Sequence, residues 1–261
     1  MPISIAMVAG PGADHSGWMK RSDGRAIGPG VGVPPRNTTL VLRGAGAGQG
    51  SVVAATVEHL MSALAGTGVW DACVVLEGDE VPIDDGSAKA FVELARHLKH
   101  AGFGGMGAAD VEPIVLRERI EVRDARGAWI VGEPLNGIEY AYELDYGAGA
   151  PIEPQRAVWR GDAEEYVREI APARTFSLRA EAEIARAAGL FGHLTPAEMV
   201  VVGDDGQPMA NAWRMEHEPA KHKLLDLIGD LALLGRPLHA KVTAHRSGHA
   251  MTHEFCRRVL G

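Results

Sequence analysis

The 261-residue chain sets 26 Lys plus Arg against 34 Asp plus Glu, a formal net charge of −8, which argues against a nucleic acid as main partner because phosphate binding needs a basic face. With 46% hydrophobic and 23% charged residues, the chain buries a core, and no apolar stretch reaches the roughly 20 residues of a membrane span. Cys73 and Cys256 are too few for a disulfide framework and fit a reducing compartment, and Met1–Ala13 does not read as a secretory signal.

In chain order, Ile3–Ala9, Thr38–Leu42 and Ala72–Leu76 read as strands bounded by Gly, Pro and Asp clusters. Thr56–Ala65 reads as a short helix, with Thr56 its cap and Gly66 its stop. Ala88–His100 is helical by the spacing of Phe91, Leu94, Ala95 and Leu98, and the glycine-rich Gly102–Gly107 marks a boundary between domains 1–107 and 108–261. Pro113–Val122, Trp129–Val131 and Ile138–Tyr146 form a predicted meander, turned at Asp124–Gly127 and Asn136-Gly137. Helices follow at Ala163–Ile170, Leu178–Ala188, Glu218–Leu234 and Ala250–Leu260, with strands at Met199–Val202 and Ala240–His245. Without regular βαβ alternation, this order predicts an α+β fold.

The most informative helix is Glu218–Leu234, where His222, Asp226 and Asp230 recur every four residues among leucines. They share one stripe. Buried without partners, such a stripe costs several kcal/mol per ion, so it faces either solvent or a ligand, a metal or matching polar groups; the helix alone leaves both open. Glu58-His59 sets a carboxylate beside an imidazole on the first-half helix, and two histidines with an aspartate from separate helices suit zinc with one position left for water. Taken alone, a histidine such as His59 is more often an ordinary surface or core residue than a ligand. A rival set, His245, His249 and His253, shares a face only if one helix carries all three, and Ser247-Gly248 breaks that helix before it starts. Cys73, mid-strand and without a CxxC partner, reads as a buried structural thiol.

Five segments together carry a resemblance: Thr56-Val-Glu-His-Leu-Met-Ser-Ala-Leu-Ala-Gly66, Val81-Pro-Ile-Asp-Asp-Gly-Ser-Ala88, Ala173-Arg-Thr-Phe176, His222-Lys-Leu-Leu-Asp-Leu-Ile-Gly-Asp230 and Ser247-Gly-His-Ala250. In this order the chain resembles the UDP-3-O-acyl-N-acetylglucosamine deacetylases, the zinc amidases of lipid A synthesis. The resemblance implies two similar α+β domains packed helix layer to helix layer, with one zinc ion between them. It implies His59, His222 and Asp226 as ligands and Glu58 as general base. His249 becomes the protonated partner, with Asp230 orienting it, and Thr175 supplies an oxyanion contact. Lys223, Arg246, Tyr146 and Phe176 fall on the substrate side. Apart from the motifs, Thr175 reads as a helix cap, Tyr146 as a strand-end aromatic, and Lys223 and Arg246 as solvated cations.

The sequence departs from the family at its edges. The family's opening strand and Gly-Val-Gly-Leu-His-Thr-Gly hairpin have no counterpart, since Ile3–Ala9 matches the family's next segment after that hairpin. In Gly189-Leu-Phe-Gly-His-Leu194, His193 and Leu194 replace a Gly-Gly pair that leaves room for the acyl chain, which predicts a narrowed passage. Glu133 stands where the family has a lysine, and a carboxylate there repels a diphosphate unless it points away; Glu218-Pro-Ala-Lys221 replaces Glu-Phe-Val-Arg. The expected partner is therefore a small acetamido sugar, UDP-linked and acylated in the orthodox case, short-chain or unacylated in the alternative. No nucleic acid, no stable membrane anchor, a monomeric state and a cytoplasmic location complete the expectation.

Overall fold

Helices and mixed sheets follow one another without regular alternation, as the sequence predicts for α+β. The computed structural model describes residues 5–8, 19–21, 26–27, 37–42, 52–70, 72–76, 80–100, 111–187 and 199–261. The first half runs β1 (Ile5–Val8), β2 (Met19–Arg21), β3 (Ala26–Ile27), β4 (Leu40–Leu42), β5 (Val52–Ala54), α1 (Glu58–Gly66), β6 (Cys73–Leu76) and α2 (Lys89–His100). The second runs β7 (Ile114–Val115), β8 (Ile120–Arg123), β9 (Trp129–Glu133), β10 (Ile138–Leu144), β11 (Gln155–Trp159) and α3 (Ala163–Glu165), which continues as a π-helical turn, Tyr166–Ile170. Then come β12 (Phe176–Leu178), α4 (Arg179–Ala187), β13 (Val200–Val202), α5 (Glu218–Ala232), β14 (Leu238–His245) and α6 (His249–Leu260). No helix among the described residues is long and apolar enough to cross a membrane.

Strands β1, β6, β2 and β3 pair in that order, and β4 pairs with β5. The larger sheet has the order β11-β10-β14-β9-β8, with β7 pairing Leu238 and His239 at the start of β14, while β12 and β13 form a parallel pair. Alternation along β14 buries Leu238, Ala240, Val242 and Ala244 and turns His239, Lys241, Thr243 and His245 to the other face, as a sheet covered on one side requires. The helices lie against the buried face. Helix α5 packs on β10 and β11, on α6 and on α1, so Leu224, Leu225, Leu227, Ile228 and Leu231 are all buried. Each contributes roughly 1.5–3 kcal/mol. A helix enclosed on so many sides has no solvated face, which decides the meaning of its polar stripe.

Local chemistry shifts several predicted boundaries. Thr56 does not cap α1. It takes a left-handed φ of 57°, gives its hydroxyl proton to Glu80 Oε1 at 2.7 Å and accepts one from Asn37 Nδ2 at 2.9 Å. The Thr38 carbonyl receives the Val57 N–H instead, at 3.2 Å. Nor does Gly66 stop the helix: α1 includes it, and the chain turns at Gly68, φ 73°. Gly66 is needed because the Tyr166 ring lies across it, where a methyl would sit 2.4 Å from Cγ. The predicted strand Pro113–Val122 divides into β7 and β8 around the exposed Arg117-Glu118-Arg119. Gln155–Trp159, unpredicted, pairs antiparallel with β10, and Phe176–Leu178 is strand where the sequence reading starts a helix at Leu178. The glycine-rich boundary segment Gly102–Gly107 lies outside the described residues, as does the side chain of Cys73.

Candidate metal centre

The centre lies where α1 and α5 cross. A methyl on Gly229 would be 2.0 Å from the Glu58 carbonyl oxygen, so only glycine lets the two helix backbones approach this closely. The crossing brings the first two residues of α1 onto the stripe of α5. His59 Nε2 and His222 Nε2 each stand 3.5 Å from Asp226 Oδ1, and the three ligand atoms lie within 4.8 Å of one another. Among the described residues this is the one group of three His, Cys, Asp or Glu side chains so arranged. Zinc bonds of about 2.0–2.1 Å in tetrahedral geometry separate ligand atoms by about 3.3 Å, close to these spacings.

The exposures settle the stripe: His222, Asp226 and Asp230 are only 3%, 7% and 1% exposed. His222 Nδ1 donates to the Ala173 carbonyl at 3.1 Å, an assignment of tautomer that leaves Nε2 a free lone pair aimed at His59 and Asp226. Burial lowers the His222 pKa to about 4 despite the pull of Asp226, so the ring is neutral, as a ligand must be. Burial would raise Asp226, but the Lys223 ammonium and the neighbouring imidazoles hold it well below the usual carboxylate range. Its second oxygen, Oδ2, accepts from Lys223 Nζ at 2.7 Å. One oxygen serves the histidines and the other the lysine. His59 Nδ1 is buried and has no hydrogen-bond partner among the described residues.

Beside the triad stand two further titratable groups, both raised above their ordinary values. Burial raises the pKa of Glu58, with the His249 and His59 rings opposing it, and its Oε2 accepts the Thr38 N–H at 3.0 Å. For His249 burial acts downward, yet the Asp230 carboxylate overcomes it and lifts the ring to about 9; His249 Nδ1 donates to Asp230 Oδ2 at 2.8 Å. The Thr38 hydroxyl gives its proton to Asp230 Oδ1 at 2.5 Å, and His253 Nε2 lies 3.4 Å from the same oxygen.

A family model described as UDP-3-O-acyl N-acetylglycosamine deacetylase matches residues 30–261. A UDP-3-O-acyl-N-acetylglucosamine deacetylase of Chlamydia pneumoniae is 36% identical over 225 residues, covering 86% of this chain and 76% of its own length. The chain belongs to this deacetylase family.

The remaining positions singled out for the family fall into three groups. Phe176 stands against His222 and Tyr146 against Phe176, with Thr175 preceding Phe176 in the chain. Thr175 caps no helix; its N–H donates to the Gly86 carbonyl at 2.7 Å and its carbonyl accepts the Val200 N–H at 3.0 Å, leaving the hydroxyl without a partner among the described residues. Phe176 meets His222 edge-on at 6.3 Å, and Tyr146, 39% exposed, meets Phe176 at 6.5 Å. An aromatic file thus leads from surface to centre. Lys223 is not a solvated cation, and Arg246 pairs with Asp145 at 2.7 Å. His193 and Leu194 lie outside the described residues.

The altered edges resolve in part. Glu133 faces away from the helices: it sits 3.8 Å from Lys241, on the sheet face opposite the buried Val242. Glu218 keeps a role although the three residues after it differ. It forms a buried two-pronged pair with Arg174, Nε to Oε1 at 2.8 Å and Nη2 to Oε2 at 3.0 Å, and so fastens the Ala173 carbonyl beside His222. The rival histidine set separates as Ser247-Gly248 predicts, because His245 stacks on Trp129 at 5.4 Å on the other sheet face. Three participants escape the sequence reading as site residues: Thr38, the Ala173 carbonyl and His253. Only His253 carried a signal, its spacing of four from His249.

Proposed function

We propose that this chain is a zinc-dependent N-deacetylase that hydrolyses the acetamide of a UDP-3-O-acyl-N-acetylglucosamine. The carrying observation is the buried His59–His222–Asp226 set, flanked by a carboxylate raised in pKa and an imidazole held near 9. A carboxylate made more basic than usual and an imidazole kept protonated at neutral pH are what a base and an acid sharing one reaction require. The donor set fits zinc: two imidazole nitrogens, one carboxylate oxygen, and supporting hydrogen bonds, one given by His222 to the Ala173 carbonyl and one taken by Asp226 from Lys223, that orient two of these ligands. When bound, zinc supplies Lewis-acid activation of water and of the amide carbonyl.

The chain's own residues would then divide the proton work. Glu58 takes a proton from the attacking water as its oxygen adds to the acetyl carbon. The free Thr175 hydroxyl donates to the oxygen that gains negative charge. His249 delivers its proton to the sugar nitrogen as the C–N bond breaks, giving acetate and an amine. Asp230 keeps that ring charged and aimed. On this reading Tyr146, Phe176, Lys223 and Arg246 line the approach of the nucleotide sugar, and the two α+β halves, 1–107 and 108–261, meet at the centre. The outward aim of Glu133 removes one objection to a diphosphate, whereas His193 and Leu194 favour a shorter acyl chain.

The test is acetate release by zinc-loaded protein from UDP-N-acetylglucosamine with and without a long 3-O-acyl chain. Faster turnover of the acylated form supports the full proposal. Preference for the unacylated form transfers the chemistry to a short-chain or unacylated substrate, and no release from either form with zinc bound refutes the hydrolase.

A further inference from the structure

Thr38 lies outside every motif that identified the family, yet all its polar atoms are engaged at the centre. Its N–H donates to Glu58 Oε2 at 3.0 Å, its carbonyl accepts the Val57 N–H at 3.2 Å, and its hydroxyl donates to Asp230 Oδ1 at 2.5 Å. The residue is fully buried. It therefore touches the proposed base through the backbone, the start of the base's helix through the carbonyl, and the partner of the proposed acid through the side chain. Glu58 and Asp230 sit on different helices, and Thr38 is bonded to both of their carboxylates. A peptide N–H and a hydroxyl of one residue are held about 3 Å apart by covalent geometry, so they fix the spacing of the two carboxylates more rigidly than separate side chains could.

The hydroxyl also orders the oxygens of Asp230. Its single proton goes to Oδ1, which leaves Oδ2 for His249. His253 stands behind it, with Nε2 3.2 Å from the Thr38 oxygen and 3.4 Å from Oδ1. Because Asp230 is ionised and the hydroxyl proton is already given, His253 Nε2 must be the donor to this corner. Its Nδ1, buried and without a partner among the described residues, is then a bare lone pair, the arrangement that avoids an unpaired buried N–H. With Oδ1 occupied from two sides, Asp230 cannot rotate away from His249.

We infer that Thr38 is a positioning residue for the reaction, coupling the proton acceptor Glu58 to the His249–Asp230 donor pair. The inference rests on the deacetylase reading for its kinetic consequence, though not for its structural one. Thr38→Val keeps the shape and the N–H but deletes the hydroxyl; Thr38→Ser returns the hydroxyl alone. With zinc loaded, Thr38→Val should lower kcat about 30-fold with KM within about twofold, the effect of losing one charge-assisted bond acting in the transition state, and Thr38→Ser should recover most of it. In 15N-histidine-labelled zinc-loaded protein, the low-field Nδ1 proton resonance of His249 should move in Thr38→Val and return in Thr38→Ser. Wild-type kcat in Thr38→Val, or a serine variant as impaired as the valine one, overturns the inference. If the wild type releases no acetate, the function fails first and the resonance decides the inference: an unmoved signal in Thr38→Val rejects it, and a shift reversed by serine upholds it.

Discussion

At the scale of single residues, the centre works by setting charges against their intrinsic preferences. Glu58 is pushed upward by burial, while His249 is lifted to about 9 because Asp230 outweighs burial. On the proposed roles, turnover needs Glu58 ionised and His249 protonated. The expected kcat/KM profile therefore falls on the acid side at a pH above the ordinary carboxylate range, and on the alkaline side near pH 9. Asp230→Asn removes the largest of the charges that hold the His249 proton, leaving only Asp226 and Glu58 to oppose burial, so the alkaline limb should move to lower pH. A pH series of acetate release for both proteins checks this, and an alkaline limb that does not move in the variant would show that it belongs to another group. Glu58→Gln should abolish turnover and retain zinc by metal analysis, because Glu58 is adjacent to the triad without belonging to it; loss of the metal would instead make it a ligand.

At the scale of elements, what could be read from the sequence was what recurs within one segment. The i, i+4, i+8 stripe of α5 is visible in a row of letters, and its alternatives, solvent or ligand, were separated only by the packing of α1, α6 and the sheet around it. The break at Ser247-Gly248 was equally local, and it correctly parted His245 from His249. Thr38 could not be found this way: it meets Glu58 across 20 positions and Asp230 across 192, and nothing around Thr38-Thr39 marks one threonine over the other. Thr56 misled for a related reason. Its type suits a cap, but Asn37 and Glu80, distant in sequence, claim its hydroxyl. Gly66 was read as a helix stop and Gly229 carried no reading of its own, whereas both are contact surfaces. Gly229→Ala must push α5 from α1 by the Glu58 carbonyl, costing about 1–3 kcal/mol or more and spreading ligands that come from both helices. Gly66→Ala meets the Tyr166 ring at the opposite end of α1 and should destabilise comparably while sparing the metal. Denaturation midpoints and zinc affinities of both variants are the check; equal affinities would mean that the crossing does not set the ligand spacing.

At the scale of the whole molecule, the ligand set spans the fold. His59 comes from the helix that follows β5, whereas His222 and Asp226 come from the helix that packs on β10 and β11. An ion bound by all three ties these parts together, and it binds the folded chain far better than the unfolded one, where His59 is separated from His222 and Asp226 by more than 160 residues of sequence. Linkage then makes the metal a stabiliser: at a free concentration about 1,000 times Kd it adds about 4 kcal/mol, a rise of about 10 °C in Tm for a chain of this size. Removing zinc with a chelator should lower Tm by that order, and returning it should restore the value. His59→Ala deletes the only ligand supplied by α1, leaving two that sit one turn apart on a single helix and cross-link nothing. In that variant the zinc-dependent rise should nearly vanish, although His222 and Asp226 still offer a weak local site. Calorimetry of both proteins with and without zinc separates the cases, because a rise of equal size in the variant would place the stabilising ion somewhere other than between α1 and α5.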